Sequence, residues 1–253
     1  MKTMFRMKSL LRMSWVEAKL FLREPVGAFF TLVFPLMMLF IFGTIYGYQP
    51  AAQPGGQGAI DNLIPAFTAM TIGITGLMAT TITMATYREK GILRRLRTTP
   101  VSPLVVLIAQ VVVVFTMTAL GMLLLVIAGK LVYHVRFEGN AISLLGGFIL
   151  GSLSFFGIGF ILAGTLPTAR TAQIIAMVLM YPMLIFSGAA WPRELMPPAI
   201  QKVSAFVPLT YVVNLLRGLW IGESWGAHLL DVGVLVGMLL LGILVSAKTF
   251  RWE

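Results

Sequence analysis

Side chains able to catalyse a reaction or to bind a metal ion are scarce in this sequence. Cysteine is absent, which excludes thiol nucleophiles, disulfide bonds and cysteine-ligated metals. The two histidines, His134 and His228, show neither the H-E-x-x-H pattern nor another ligand spacing, and each lies near the end of an apolar run. We therefore expect no metal site and no catalytic histidine.

The nine acidic residues suggest no ion-coupling chemistry either. None lies in the middle of an apolar run, where an ion-coupled carrier buries a carboxylate whose charge changes with occupancy. The sequence also lacks G-x-x-x-x-G-K-[ST], so it contains no P-loop for ATP. We expect no enzyme activity in this chain, and any energy for work must come from a partner.

Composition identifies the class of protein that holds these few polar groups. Of the 253 residues, 58% are hydrophobic and 11% are charged, and the mean hydropathy is +0.91. Such values are typical of an integral membrane protein. The formal charge of +10 would suggest a nucleic-acid partner in a soluble protein. Here the basic residues alternate with apolar runs, which indicates membrane orientation and no nucleic-acid partner.

Six apolar runs are long enough to cross a bilayer. They cover residues 26–46, 63–86, 104–133, 142–166, 172–190 and 228–247. If all six span, fourteen Lys and Arg residues fall on one side and five on the other. The positive-inside rule places the larger group, and with it both termini, in the cytoplasm.

The segments outside these runs predict two further elements. Residues 1–25 alternate apolar and charged positions, and Pro25 breaks the pattern before the first apolar run. This predicts an interfacial helix on the cytoplasmic leaflet; a frayed basic tail is the alternative. Residues 191–226 contain four prolines and a short apolar run with Asn214 and Arg217 near its middle. A charge there disfavours a span, so we predict a re-entrant or interfacial helical hairpin on the outer side.

The segment YREKGILRRLRTTPVSP, between the second and third runs, is the most charged loop of the chain. On a helix, Ile92, Leu93 and Leu96 form one apolar face, and basic residues form another. Orientation needs only the basic residues, whereas an apolar face with a basic flank suits a groove on a soluble partner. The same face could instead dip into the lipid headgroups.

This segment and the outer segment PLTYVVNLLRGLW resemble type-2 ATP-binding-cassette (ABC) exporter permeases, the class that includes daunorubicin/doxorubicin-type drug exporters. The resemblance covers nearly the whole chain. It implies that residues 87–99 form a coupling helix against a separate ABC ATP-binding subunit, which binds the ATP and Mg²⁺. The contact residues so implied are Arg88, Glu89, Lys90, Ile92, Leu93, Arg94, Arg95 and Leu96.

The family pattern also implies a fold, a location and an assembly. We expect an all-α integral membrane protein with six transmembrane helices, an N-terminal interfacial helix, a cytoplasmic coupling helix and an outer re-entrant hairpin. Residues 1–25 would form the interfacial helix and 26–253 a single six-span domain. A second permease copy, identical or not, would complete the assembly in the plasma (inner) membrane of a bacterium or archaeon.

A row of hydroxyls suggests where cargo passes. Thr68, Thr71 and Thr75 share one face of the second run, and the resemblance implies that the second and fifth spans line the path. Tyr181 and Phe186 of the fifth span complete this hypothesis. The alternative is that the threonines bond to their own helix or to neighbouring spans. The expected function is ATP-driven export of an amphipathic, lipidic or drug-like substrate, and an ATPase-independent carrier or scaffold is the alternative.

Overall fold

The computed structural model describes residues 2–46, 60–92, 95, 103–190 and 196–249, and within these ranges the chain forms helices and turns but no strand. We number nine helical elements in chain order. They are α1 (Lys2–Arg23), α2 (Pro25–Ala28, π-helical Phe29–Val33 and Phe34–Tyr46), α3 (Leu63–Gly73, π-helical Ile74–Ala79 and Thr80–Glu89), α4 (Pro103–Tyr133), α5 (Ala141–Thr165), α6 (Ala169–Phe186), α7 (Pro198–Ser204), α8 (Pro208–Trp220) and α9 (Leu229–Thr249).

The prediction of six apolar spans is confirmed. Among the described residues, six helices are long and apolar enough to cross a membrane: Pro25–Ile45, Leu63–Glu89, Val105–Tyr133, Ala141–Thr165, Ala169–Phe186 and Trp225–Ser246. The fifth span ends at Phe186, earlier than predicted from its apolar run. Gly188, two residues further on, has a φ of +85°, and this left-handed conformation ends the helix.

α1 ends where the proline pattern predicts. Glu24 has an extended backbone, and Pro25 is the first residue of α2, where its fixed φ suits a helix start. One face of α1 packs on α4, where Phe21 clusters with Val113 and Met117. Large apolar side chains of α1 nevertheless remain exposed, among them Leu11, Trp15 and Leu22. Its location on the membrane surface stays a prediction.

α3 is the central helix of the bundle, and every residue from Leu63 to Gly73 is buried. Small residues let its neighbours approach closely. A Cβ at Gly159 of α5 would lie only 2.2 Å from the carbonyl oxygen of Gly76, and the Thr81 hydroxyl donates to the Gly159 carbonyl over 3.1 Å. On its other side, α5 meets α9 at Gly157 and Gly242.

The segment predicted to lie on the outer side forms two short helices, α7 and α8, bent by 96°. A pair with this bend is either a broken span or a re-entrant loop, so the predicted re-entrant hairpin remains untested, and residues 191–195 of it lie outside the described residues. α8 packs against Gly147 and Gly151 of α5, so this G-x-x-x-G pair serves a contact within the chain. The indole of Trp220 donates to the Arg136 carbonyl over 3.0 Å.

Candidate functional site

Three consecutive side chains at the end of α3 bond to three different elements. The Tyr87 hydroxyl donates to Glu17 Oε2 of α1 over 2.8 Å. Arg88 donates from Nη1 to the Gly164 carbonyl over 2.9 Å and from Nη2 to the Leu166 carbonyl. Glu89 Oε2 accepts from the Ala169 backbone N–H over 2.6 Å. We call Tyr87, Arg88 and Glu89 the clasp, because they tie the second span to α1, α5 and α6.

The charges of the clasp suit the helix ends that they contact. Arg88 reaches carbonyls at the C-terminus of α5, which have no partner within that helix and carry the negative end of its dipole. Glu89 reaches an N–H in the first turn of α6, at the positive end of that dipole. The hydrogen bonds of Arg88 and of Glu89 each involve a charged side chain, and such bonds are stronger than those between neutral groups. The end of α3 is therefore fixed against two other spans.

Glu17, the α1 partner of the clasp, is buried, with 3% of its surface exposed. Burial raises the pKa of the Glu17 carboxyl above its ordinary value of 4.5, and the hydrogen bond from Tyr87 partly offsets this effect. Its second oxygen, Oε1, has no hydrogen-bond partner among the described residues. Glu17 is thus a buried acid next to the charged loop.

The chain turns immediately after the clasp. Lys90 and Gly91 form the turn, and Gly91 adopts a φ of +63°, which glycine reaches without strain. Ile92 and Arg95 are helical, and the Arg95 N–H donates to the Gly91 carbonyl over 3.0 Å. The helix predicted for residues 87–99 is therefore interrupted: residues 87–89 belong to the span. Of the other predicted contact residues, Leu93, Arg94 and Leu96 lie outside the described residues.

The threonine row of the second span is buried within the chain. Thr68, Thr71 and Thr75 are at most 1% exposed, and each hydroxyl donates over 2.8 Å to the carbonyl four residues earlier, at Ile64, Phe67 and Thr71 respectively. Thr75 also accepts a bond of 3.0 Å from the Thr118 hydroxyl of α4. These contacts correspond to the alternative in which the threonines bond to their own helix and to a neighbouring span.

The fifth-span residues of the predicted path lie elsewhere. Tyr181 is 57% exposed, and Phe186 is half-buried. Met180, the neighbour of Tyr181, is the buried residue that faces α3: a Cβ at Gly73 would lie 2.4 Å from its methyl carbon. Tyr181 therefore points away from the threonine row within one chain. The structure does not bring the five predicted path residues together.

A second polar cluster joins α8 to the start of α9. His228 contacts Asp231 through Nδ1 over 2.8 Å and Glu223 through Nε2 over 2.7 Å. Asn214 contacts Asp231 over 3.4 Å, and Arg217 donates to the Gly188 carbonyl over 3.2 Å. The polar groups that argued against a span through α8 therefore each have a hydrogen-bond partner inside the protein. Within the described ranges, no group of three acidic or histidine side chains is suited to hold a metal ion.

Glu17 was not among the predicted site residues, and Tyr87 had no predicted role. The two lie 70 residues apart, so no helical spacing relates them. The only sequence signal is that Glu17 interrupts the apolar positions of α1, and an interfacial helix tolerates such a residue on its polar face. Its burial follows from the packing of α1 on α4, which periodicity does not specify.

Six candidate spans with few polar groups between them define a multi-span α-helical membrane protein. The model of the ABC-2 type transporter family matches residues 8–220, and the chain therefore belongs to this family. The match includes the clasp and the charged loop, together with five of the six candidate spans. The predicted class is thereby confirmed, whereas a daunorubicin-type specificity is not tested.

Curated relatives resemble part of the chain. It is 22% identical over 162 residues to the "Probable multidrug ABC transporter permease YbhR" of Escherichia coli K12, covering 64% of this chain and 44% of that protein. It is 24% identical over 176 residues to the "Inner membrane transport permease YhhJ" of the same strain, covering 68% and 45%. Nodulation protein J of Rhizobium leguminosarum is 29% identical over 99 residues, 39% of this chain and 38% of that protein. The matches thus span less than half of these relatives.

Proposed function

We propose that this chain is the transmembrane permease subunit of an ATP-driven exporter, and that a separate ABC ATP-binding subunit hydrolyses ATP bound with Mg²⁺. Family membership supports a transporter role, and the names of YbhR, a probable multidrug ABC transporter permease, and YhhJ, an inner membrane transport permease, support transport at the inner membrane. The observation that carries the proposal is the clasp, because it directly precedes the loop that would contact the ATPase.

The clasp provides a mechanical link between the loop and the spans. Glu89 is bonded to α6, Arg88 to the end of α5, and Tyr87 to α1. A displacement of the loop by the ATPase would therefore act on four helices at once, with α3 as the lever. Coupling of this kind requires helices with two distinct packing arrangements, and the ATPase contact and the cargo contact must both affect which arrangement is favoured. Closely packed helices meet this requirement.

The orientation of the proposal rests on charge. Fourteen of the nineteen Lys and Arg residues fall on the side of the termini and the charged loop, which places them in the cytoplasm by the positive-inside rule. α1 would lie along the inner leaflet with Trp15 and its exposed apolar neighbours in the lipid. α7 and α8 would form the outer re-entrant hairpin, a placement that the internal bonds of Asn214 and Arg217 support.

The cargo in this proposal is amphipathic, lipidic or drug-like, and its path is completed by a second permease copy. Exposed Tyr181 lies on the surface of α6, where a second copy or cargo could reach it. The row of Thr68, Thr71 and Thr75 could contact cargo only after α3 moves relative to α4, since it is closed within one chain. Tyr181 is thus the strongest path candidate.

The decisive test is capture of the ATP-binding subunit by the permease in detergent. Burial of Leu93 and Leu96 in a partner groove would contribute about 1.5–3 kcal/mol each, whereas exposed ion pairs of Arg94 or Arg95 add only about 0.2–1 kcal/mol. Leu93→Asp with Leu96→Asp should therefore abolish capture while insertion stays normal. The matched control, Thr98→Asp with Thr99→Asp, adds the same charge to the same loop and should retain capture.

Two results would contradict the proposal. If the variant with Leu93→Asp and Leu96→Asp captured the ATPase fully and transported normally, the loop would serve only to orient the protein in the membrane. Absence of any ATPase partner, with transport by the permease alone, would favour an ATPase-independent carrier.

A further inference from the structure

A cavity of about 290 Å³ lies between α1, α3 and α4, beside the clasp. Its wall contains two carboxylates, Glu17 and Glu24, together with the Tyr87 side chain and the buried Gln110. Apolar side chains complete it, among them Leu20, Phe21 and Val113. The described lining residues include no basic side chain, although this end of the chain is rich in Lys and Arg.

One carboxylate oxygen of Glu17, beside this cavity, needs a hydrogen-bond donor. Its Oε2 accepts from Tyr87, but its Oε1 is buried and has no hydrogen-bond partner among the described residues. A buried polar atom without a partner is costly, and native proteins nearly always provide one from the chain, from water or from a ligand. Because Glu17 lines the cavity, a donor placed there lies next to its carboxylate.

The lining favours a donor that carries a positive charge and an apolar chain. Two carboxylates in a lining whose described residues include no basic side chain attract a cation, and an N–H⁺ donor forms stronger bonds to a carboxylate than a neutral donor does. The apolar walls around Phe21 and Val113 suit a hydrocarbon chain attached to that cation. The volume is near the lower end of the range of about 300–1,000 Å³ that ligand pockets occupy, so the bound group is small.

We propose that this cavity binds a primary alkylammonium group, with the ammonium donating to Glu17 Oε1 and the alkyl chain against Phe21. Two sources supply this chemistry: the headgroup of an aminophospholipid and a free cationic amphiphile. The proposed site is formed by residues of this chain only, so it depends neither on the ATPase nor on the membrane orientation proposed above.

The test uses the full-length permease in phosphatidylcholine nanodiscs and octylammonium as the probe, with uncharged 1-octanol as its matched control. Octylammonium should raise the midpoint temperature of unfolding in a saturable way, and 1-octanol should not. Glu17→Gln keeps an acceptor for Tyr87 but loses the charge, and should weaken octylammonium binding about 10- to 100-fold, the range expected for a charge-assisted bond. Glu138→Gln removes one acid from an exposed loop position, and its affinity for octylammonium should equal that of the natural protein.

A second variant fills the cavity without altering its charge. Thr83→Phe adds a ring to a lining position and should abolish saturable binding while both carboxylates remain. Equal octylammonium affinity in the natural protein and in Glu17→Gln would overturn the proposal, as would a saturable shift of the same size with 1-octanol.

A lipid arm distinguishes the two sources. Nanodiscs containing phosphatidylethanolamine have the same net lipid charge as phosphatidylcholine but offer a primary ammonium headgroup. A lower apparent affinity of the natural protein for octylammonium in these discs than in phosphatidylcholine discs assigns the site to the lipid. An unchanged affinity assigns it to free cationic amphiphiles.

Discussion

The Glu89 carboxylate accepts a hydrogen bond of 2.6 Å from the backbone N–H of Ala169, which joins the last turn of the second span to the first turn of the fifth. Glu89 is an exposed side chain, so solvent weakens the bond. Its position nevertheless matters, because the acid lies next to the turn at Gly91 that leads into the charged loop. The bond therefore connects the predicted docking region to a span that carries a predicted path residue.

Charge reversal at Glu89 tests this connection. In Glu89→Lys, a cation would face the positive end of the α6 dipole, which we expect to cost about 0.3–1 kcal/mol in addition to the lost bond. Glu89→Gln keeps an acceptor and removes only the charge. In the complex with the ATPase, Glu89→Lys should retain basal hydrolysis but lose its stimulation by cargo compounds, and Glu89→Gln should retain most of it. If cargo compounds stimulated ATP hydrolysis normally in Glu89→Lys, the bond between Glu89 and Ala169 would not contribute to coupling.

Two glycines of α9 provide a matched test of the packing around α5. A Cβ at Gly242 would lie 2.6 Å from the Cα of Gly157, where backbone cannot yield, whereas a Cβ at Gly237 meets nothing within 4 Å. Gly242→Ala should lower the free energy of unfolding by about 1–3 kcal/mol through overpacking. Gly237→Ala should be neutral or raise it by up to about 1 kcal/mol, because alanine favours the helix. Thermal unfolding in detergent measures both, and equal midpoints would contradict the close approach.

Orientation can be tested with exposed positions on both sides, since the chain has no cysteine. Glu138 and Lys90 are both exposed, so burial does not limit their labelling. Glu138→Cys should react with an impermeant maleimide in intact cells, and Lys90→Cys should react only after the membrane is opened. Labelling of Lys90→Cys in intact cells would reverse the proposed topology.

The path hypothesis is best tested at Tyr181, because the structure separates it from the threonines. Thr75 is fully buried, so Thr75→Trp should destabilise the bundle and cannot report on cargo. Tyr181→Ala changes an exposed side chain and should alter which compounds stimulate ATP hydrolysis while the midpoint of unfolding stays within about 1 °C. Val178→Ala, at another exposed position of α6, controls for the loss of surface. An unchanged compound profile in Tyr181→Ala would remove this residue from the path.

The spans were predictable because each is a single apolar run bounded by charges or prolines, and a bilayer selects such runs by length alone. The break before Pro25 was predictable for the same local reason. The end of the fifth span was not, since apolar Ala189 and Ala190 continue the run after Gly188 has already turned the backbone.

The site was less predictable because its bonds join distant parts of the chain. Family resemblance pointed to Arg88 and Glu89 as partner contacts, but their bonds to Gly164 and Ala169 depend on how α3, α5 and α6 pack. The threonine row followed from helical spacing, yet spacing cannot distinguish a face toward a path from a face toward α4. Within one chain, the Thr118 hydroxyl of α4 donates to Thr75, so this face contacts α4, and the two residues lie 43 positions apart in the sequence.

The buried acid of α1 predicts a dependence of stability on pH. Because burial raises the folded-state pKa of Glu17, the folded protein binds a proton at this carboxyl more readily than the unfolded chain does. The stability associated with this group is fully present below its ordinary value of 4.5 and is lost as the pH rises through the raised folded value. Glu17→Gln cannot ionise and still accepts from Tyr87, so it lacks this loss.

The midpoint of unfolding, measured in a neutral detergent from pH 4 to pH 8 without added amines, checks this prediction. Glu17→Gln and the natural protein should nearly coincide at the acidic end, and the variant should become progressively more stable by comparison as the pH rises. Glu138→Gln, which changes an exposed acid, should follow the natural protein throughout. A constant difference between Glu17→Gln and the natural protein over the whole range would mean that Glu17 has the same pKa in the folded and unfolded chains. The hydrogen bond from Tyr87 would then fully offset the effect of burial, and the predicted dependence of stability on pH would be wrong.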